Sequence, residues 1–306
     1  MGSYEGLRFG VVGAGRMGRL RARIFAGLGC RCIGVVDRSR SAGTSLAAQL
    51  GTVQVGLPDL LSRAPDFIVI ATPPVDHAPI AVEAVSRGIS VFMEKPLALS
   101  LSEAQWLVGK QKRGCLWVGF NRFYSPTFQK LKELLEERSP SAVLAKVCRG
   151  DLFEPWWVGR QDISGGLAFE AASHTLAMLL ELLGNLKVER GWWFSKNLFV
   201  GVLGFQDGIV SLFLTAPVGW GGEFERIEFF GDLWTLTYSL EEVRESKLEE
   251  EIVYRPQRFH TDELRGYSRE AKAFLSELEE GRGGNWPLAL EQVRLSEEIR
   301  KKGGLR

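Results

Sequence analysis

Residues 8–18 read RFGVVGAGRMG. An apolar run rich in valine enters three glycines, Gly13, Gly15 and Gly18, and Met17, Leu20, Ile24, Phe25 and Leu28 then recur at helical spacing. A G-x-G-x-x-G alone is a weak sign, because glycine-rich turns are common. Here it follows a strand pattern and opens a helix, and Asp37 closes the next apolar run, RCIGVVD. That combination is specific for a dinucleotide-binding turn. Gly13 permits the tight turn, Gly15 lets a pyrophosphate approach the backbone, and Gly18 lets helix and strand pack closely. The first-turn N–H groups, with Arg16 and Met17 among them, then face the phosphates at the positive end of the helix dipole. Asp37 suits the adenosine ribose hydroxyls and repels a 2′-phosphate, which favours NAD(H). Arg38 beside it offers a guanidinium to that phosphate, so NADP is the alternative.

Working outward, the rhythm of strand and helix continues to about Gly119. TVQVG reads as a short strand and LPDLLSRA as a short helix. DFIVIATPP reads as a buried strand, APIAVEAVSRG as a helix, ISVFMEKP as a strand and CLWVGF as another. A helix between the last two opens on a capping box from Ser100 to Glu103. Such alternation implies a parallel, doubly wound sheet over residues 1–119. After that the pattern changes. AVLAKVCRG, KVERGWWF, LFVGVLGF, GIVSLFLTA, FERIEFFG and LWTLTY read as successive strands joined by short turns, with helices around HTLAMLLELLG and in the last forty or so residues. The expected fold is therefore α/β: an N-terminal Rossmann domain, and an α+β domain over 120–306 with a large open, mostly antiparallel sheet. EEVRESKLEEE reads as a solvated hairpin or helix face.

Composition narrows the function. The chain has 306 residues, 45% of them hydrophobic, and 38 basic against 37 acidic side chains. A formal net charge of +1 gives no reason to expect nucleic acid or an anionic membrane as partner. No apolar stretch is expected to approach the roughly 20 residues of a membrane span, and the N-terminus lacks a signal-peptide pattern. A cytoplasmic location is expected. Cys30 and Cys32 share one face of a strand, as a buried thiol pair or as part of a metal or redox site; no metal is expected.

Residues at the carboxyl ends of parallel strands border the ligand crevice. Thr72, Pro73 and Pro74 in ATPPVDH are placed to line the cofactor. His77 lines it too, acts in catalysis, or caps and packs against the loop. ISVFMEKPLALS, residues 89–100, brings a charged pair, Glu94 and Lys95, from an apolar strand to Pro96. Lys95 either starts a charged loop or is delivered to a reaction centre. Glu94 borders the cofactor, or ties the loop to a neighbouring backbone N–H.

Together the glycine turn, ATPPVDHAPIAVEAVSRGISVFMEKPLALS, GFNRFYSP and GGLAFEAASHTLAMLLELLG resemble the glucose–fructose oxidoreductase / inositol dehydrogenase / rhizopine-catabolism (GFO/IDH/MocA) family, over nearly the whole chain and in order. The resemblance implies that Lys95 reaches the nicotinamide and the reacting hydroxyl, across a lysine–proline peptide that is often cis. It also implies that Gly165 and Gly166 precede an acidic residue, here Glu170 where relatives carry aspartate, and a catalytic histidine, His174. Ala172 replaces a frequent glycine, Ala177 a frequent acid, and Arg21 a common histidine in the first helix. The implied activity is hydride transfer between NAD(P) and a secondary hydroxyl or ketone of a sugar or polyol, with His174 or Lys95 exchanging the proton. Asn121 and Arg122 are expected to face the substrate, Arg122 alternatively in an interdomain salt bridge.

Six of the nine tryptophans lie between 156 and 234. Trp156 and Trp157 suit a sugar-binding wall, or cover the sheet or a subunit interface, which is the reading taken for Trp192, Trp193 and Trp234. Two other readings stand beside the enzyme of sugars: a dinucleotide-binding sensor without turnover, and a reductase of a biliverdin-like or dihydrodiol-like molecule. A homodimer or homotetramer through the open sheet face is expected.

Overall fold

The computed structural model describes residues 4–148, 157, 160–206, 208–215, 224–248, 250–256 and 261–302. The chain divides into two compact units, Met1–Gly119 with Tyr267–Leu290, and Phe120–Gly266 with Glu291–Arg306.

In the first unit five parallel strands, β1 (Arg8–Val12), β2 (Arg31–Val36), β3 (Phe67–Ile70), β4 (Ser90–Glu94) and β5 (Leu116–Gly119), lie in the order β2-β1-β3-β4-β5. All residues of β3 and β5 are buried, as the continuous apolar runs require of strands covered on both faces. The connecting helices are α1 (Arg16–Gly27), α2 (Arg40–Gln49), α3 (Leu57–Ser62), α4 (His77–Val85) and α5 (Leu101–Lys110). Ser39 caps α2 by accepting from the Ala42 N–H. Ser100 caps α5, and Glu103 reaches back to the Leu99 N–H at 3.0 Å, so the box closes one residue earlier than its usual partner. The expected strand TVQVG is reduced to one bridge, Val35 to Gln54. Gly51, with φ of +63°, and Pro58 bound the segment too tightly for a longer ladder.

The second domain was expected to run unbroken from 120 to 306. Residues Tyr267–Leu290 instead pack in the first unit. Helix α10 (Tyr267–Glu279) inserts Phe274 among Phe25, Phe67 and Phe92, with ring centroids 5.9, 5.1 and 5.4 Å away. The following turn then covers the free edge of β5. Leu116 N–H donates to the Gly283 carbonyl, and the Asn285 side chain pairs with both backbone groups of Val118 at 2.7 and 2.9 Å. An exposed strand edge is thereby satisfied without another strand.

The second unit is built on eight strands: β6 (Ala142–Cys148), β7 (Lys187–Ser195), β8 (Leu198–Phe205), β9 (Gly208–Thr215), β10 (Phe224–Gly231), β11 (Trp234–Tyr238), β12 (Val243–Lys247) and β13 (Glu250–Tyr254). Their order is β13-β12-β11-β10-β6-β9-β8-β7, antiparallel throughout except for β6 with β9. The acidic–basic stretch is a hairpin, β12 with β13, laced by Arg244 to Glu251. Alternation sorts the faces: Val143, Ala145, Val210, Leu212 and Phe229 are buried, whereas Leu144, Ile209 and Phe230 are exposed. Helices α6 (Pro126–Leu135), α7 (Gln161–Ser164), α8 (Ser173–Leu183) and α9 (Thr261–Leu264) belong to this unit, and α11 (Trp286–Lys301) contributes residues to both. One helical run, Gln161–Leu183, is long and apolar enough by length and composition to cross a membrane, contrary to the expectation from sequence. Its apolar residues form core: Leu176, Ala177, Met178 and Leu179 are fully buried.

Candidate active site

The glycine turn has the geometry its sequence demands. Gly13 has φ of +100°, and a Cβ there would lie 2.5 Å from the Ala71 carbonyl oxygen. A Cβ on Gly18 would lie 1.8 Å from the Gly13 carbonyl oxygen, so helix and strand can approach only without a side chain. Gly15 differs: a Cβ there meets nothing within 4 Å. Its missing side chain leaves open space at the start of α1, where Gly15 provides no side-chain cap. That is the cradle a phosphate group fills at a helix N-terminus. Arg16 and Met17 form the first turn. Nearby, at the end of β3, the Thr72 hydroxyl is buried without a hydrogen-bond partner, a polar atom suited to a bound cofactor. These residues fit a dinucleotide.

Asp37 is held by the turn itself. Its Oδ2 accepts from the Ala14 N–H and its Oδ1 from the Ser39 N–H, both at 2.6 Å. The carboxylate thus joins the glycine turn to the start of α2 and keeps lone pairs for further donors. Arg38 pairs with Asp76 at 2.9 Å while remaining largely exposed. Cys30 and Cys32 are buried free thiols, each pushed up to about 11 chiefly by burial. Among the described residues no group of three His, Cys, Asp or Glu side chains converges as metal ligands do.

His77 opens α4 and is fully buried. Its Nδ1 lies 2.8 Å from the Pro96 carbonyl and its Nε2 2.9 Å from the Thr72 carbonyl. Burial lowers its affinity for a proton, against the pull of those two carbonyls. The ring therefore bridges two loops that both follow strand ends: the segment Thr72, Pro73 and Pro74, and the segment carrying Lys95. Its backing role is the packing alternative of the sequence reading.

The Lys95–Pro96 peptide is cis. Glu94, the last residue of β4, is tied to a side chain of α1. Its Oε1 accepts from Arg21 Nε at 2.7 Å. Arg21, from α1, is wholly buried, and its Nη1 lies 2.7 Å from Glu270 Oε2 of α10. Its guanidinium sits 4.7 Å from the Phe92 ring centroid and 4.8 Å from that of Tyr267. Gly119 leaves the room: a Cβ there would lie 3.0 Å from Arg21 Nη2. The carboxylates raise Arg21's hold on its proton despite the opposing effect of burial.

In the second unit Gly165 and Gly166 both have positive φ, 77° and 72°, and release the chain into a π-helical turn, Leu167–Ala171. The Ala172 N–H donates to the Leu167 carbonyl at 3.0 Å, closing that wider turn directly before α8. Such turns recur at functional sites. Glu170 lies in it, buried, and His174 in the first turn of α8 is half-buried, its ring 6.3 Å from that of Phe120. The next residue, Thr175, donates its hydroxyl to Glu225 Oε1, and Glu225 Oε2 pairs with Arg122 Nε at 3.4 Å. Arg122 is thus paired inside its own unit, so the expected interdomain bridge is not its ion pair with Glu225. Asn121 donates its side-chain amide to the Arg265 carbonyl at 2.8 Å. Trp157 is half-buried; Trp156 lies outside the described residues. The sequence reading omitted Glu270, Glu225 and Thr175; only Arg21, marked as a departure from its relatives, pointed toward a buried cluster.

Comparison with known proteins fits this architecture. Residues 7–121 match the model of the oxidoreductase family with an NAD-binding Rossmann fold, GFO_IDH_MocA. Over these residues the chain is similar to the GFO/IDH/MocA oxidoreductases. It is 28% identical over 241 residues to an uncharacterised oxidoreductase, YrbE, of Bacillus subtilis (strain 168), covering 72% of this chain and 70% of the relative. It is 29% identical over 185 residues to an inositol 2-dehydrogenase of Rhizobium meliloti (strain 1021), covering 58% and 56%. Among solved structures, GenD2 from gentamicin A biosynthesis in complex with NAD superposes with a TM-score of 0.84 at 24% identity, over 98% of this chain and 95% of that one. Levoglucosan dehydrogenase in complex with NADH gives 0.82 at 17% identity, over 97% and 98%. The structural likenesses establish the fold, and the matched NAD-binding family model gives a nicotinamide dinucleotide as the cofactor class.

Proposed function

We propose that this chain transfers hydride between a nicotinamide dinucleotide and a secondary hydroxyl or ketone of a sugar, polyol or sugar derivative. The observation that carries the reading is Lys95 at the carboxyl end of β4, in the same parallel sheet whose β1 ends in the glycine turn. Relatives named as inositol 2-dehydrogenase and UDP-N-acetylglucosamine 3-dehydrogenase support the substrate class.

Gly13, Gly15, Gly18 and the first turn of α1 hold the pyrophosphate, and Asp37 reads the ribose hydroxyls, so NAD is preferred over NADP. When bound, the nicotinamide accepts or delivers the hydride. Lys95 places an ammonium against the reacting oxygen and stabilises its alkoxide character. His174 exchanges the proton, and Glu170 orients it or binds a neighbouring hydroxyl. Removing a group of either kind commonly lowers turnover by about 10²- to 10⁴-fold.

The test starts with fluorescence titration by NADH and NADPH, followed by a carbohydrate panel. Lys95→Ala and His174→Ala are expected to bind cofactor normally and to lose at least about 100-fold in kcat. Normal turnover by both variants would remove the assignment, and cofactor binding with no turnover on any substrate would leave a sensor. The exposed Leu144, Ile209 and Phe230, on neighbouring strands β6, β9 and β10, support a homo-oligomer through this sheet face. Sedimentation of a Phe230→Lys variant as a monomer, against an oligomeric parent, is the expected result.

A further inference from the structure

The first unit contains one cation between two carboxylates, all of them withdrawn from water. Arg21 and Glu270 have fully buried side chains, and the Glu94 side chain is 13% exposed. Each comes from a different element: α1, β4 and α10. Glu94 is the residue immediately before Lys95 in the chain. The charged and titratable groups facing the cluster are Arg21, Glu94, Glu270 and Tyr267, with His77 acting on Glu94 from α4. Trp117 of β5 adds an indole beside Glu270.

We propose that Arg21 and Glu270 are positioning residues for Lys95: the guanidinium fixes the Glu94 carboxylate at the end of β4, and Glu270 sets how firmly it does so. A bidentate-capable guanidinium divides its attraction between the carboxylates it faces. When both are ionised, Glu94 competes with Glu270 for Arg21. When Glu270 carries a proton, Glu94 has the cation to itself and the strand end tightens. Burial pushes Glu270 up to about 7, so the two conditions exchange near neutrality. The catalytic consequence rests on the reading that Lys95 faces the reacting oxygen; the positional one does not.

The experiment is competitive acetylation of the cofactor-free protein with acetic anhydride, read by peptide mass spectrometry across a pH series. The measured quantity is the labelling of Lys95 relative to exposed Lys110 of α5. In the parent this ratio is expected to rise at least about twofold as pH passes through the Glu270 transition. In Glu270→Gln it is expected to stay at the parent's low-pH value. A flat ratio in the parent, or a step that persists in folded Glu270→Gln, overturns the proposal; a persisting step would belong to His77. If Glu270→Gln does not fold, Arg21→Lys serves instead. It keeps the charge and loses the fork, and a raised ratio without the step is expected, whereas the parent's profile would refute the positioning role. Lys95→Ala, assayed for turnover in parallel, tests the functional reading separately: normal turnover there removes the catalytic consequence and leaves the labelling result to decide the positional claim.

Discussion

Each candidate catalytic side chain adjoins in the chain a residue that joins a buried charged cluster, Glu94 beside Lys95 and Thr175 beside His174, and the two clusters are built differently. Beside Lys95, one arginine lies between Glu94 and Glu270, stacked between Phe92 and Tyr267, with N–O distances of 2.7 Å to both carboxylates. On the chain around His174, Arg122 meets Glu225 at 3.4 Å, and the Thr175 hydroxyl takes the other oxygen. The first cluster carries a surplus negative charge when all its members are ionised. In the second, the described pair sets one cation against one carboxylate. A surplus in a dry site must be relieved by a proton, whereas a balanced pair needs only hydrogen bonds. The first is therefore fitted to respond to pH and the second to hold a helix start in place.

The largest effect expected from this contrast is Arg21→Met. It leaves two carboxylates facing each other in a buried site and is expected to destabilise the chain by about 3–5 kcal/mol in urea denaturation. Arg122→Met leaves one carboxylate that still has the Thr175 hydroxyl, and about 2 kcal/mol is expected. Equal losses would erase the distinction between the clusters.

Next in size is the pH dependence of stability. Glu270 is pushed from its ordinary 4.5 up to about 7, first by burial, with Arg21 opposing and Glu94 adding to the rise. A carboxyl raised in the folded state binds its proton more tightly there than in the unfolded chain. Its contribution is complete below pH 4.5 and is lost as pH climbs through about 7. Across that window the parent should lose on the order of 2–3 kcal/mol from this group alone. Glu270→Gln should flatten that part of the curve, measured by denaturant titration at each pH. An unchanged slope in the variant would show that Glu270 is ionised throughout.

The two regions also differ in how far the sequence exposed them. The glycine turn is legible because each glycine answers a local demand: Gly13 its positive φ, Gly18 the contact with the Gly13 carbonyl. Lys95 is legible because a strand of buried residues ends at it. Its support is not, since Arg21 and Glu270 come from opposite ends of the chain, and an arginine on a helix ordinarily reads as surface charge. For the same reason the return of Tyr267–Leu290 to the first unit went unseen: Phe274 belongs to an amphipathic helix whose pattern shows a buried face without showing what it faces. In the second unit the resemblance placed Gly165 and Gly166 before Glu170, but a spacing of four residues between Glu170 and His174 suggests an ordinary α-helix. The π turn at Leu167–Ala171 changes how that spacing maps onto the helix surface.

The smallest effect isolates the second cluster. Thr175 is fully buried, and its hydroxyl donates to Glu225 while Arg122 supplies the charge. Thr175→Val keeps the shape and removes the donor, leaving Glu225 with the guanidinium. The expected loss is about 1 kcal/mol, a fall in Tm of roughly 2–4 °C for a chain of this size. Because Thr175 follows His174 on the first turn of α8, kcat should fall with it by no more than a few-fold, while cofactor affinity, determined in the other unit, stays unchanged. A destabilisation as large as that of Arg21→Met would mean that the hydroxyl, not the guanidinium, holds Glu225. The cluster beside His174 would then be as dependent on a single member as the one beside Lys95, and the contrast in charge balance would no longer explain their different strengths.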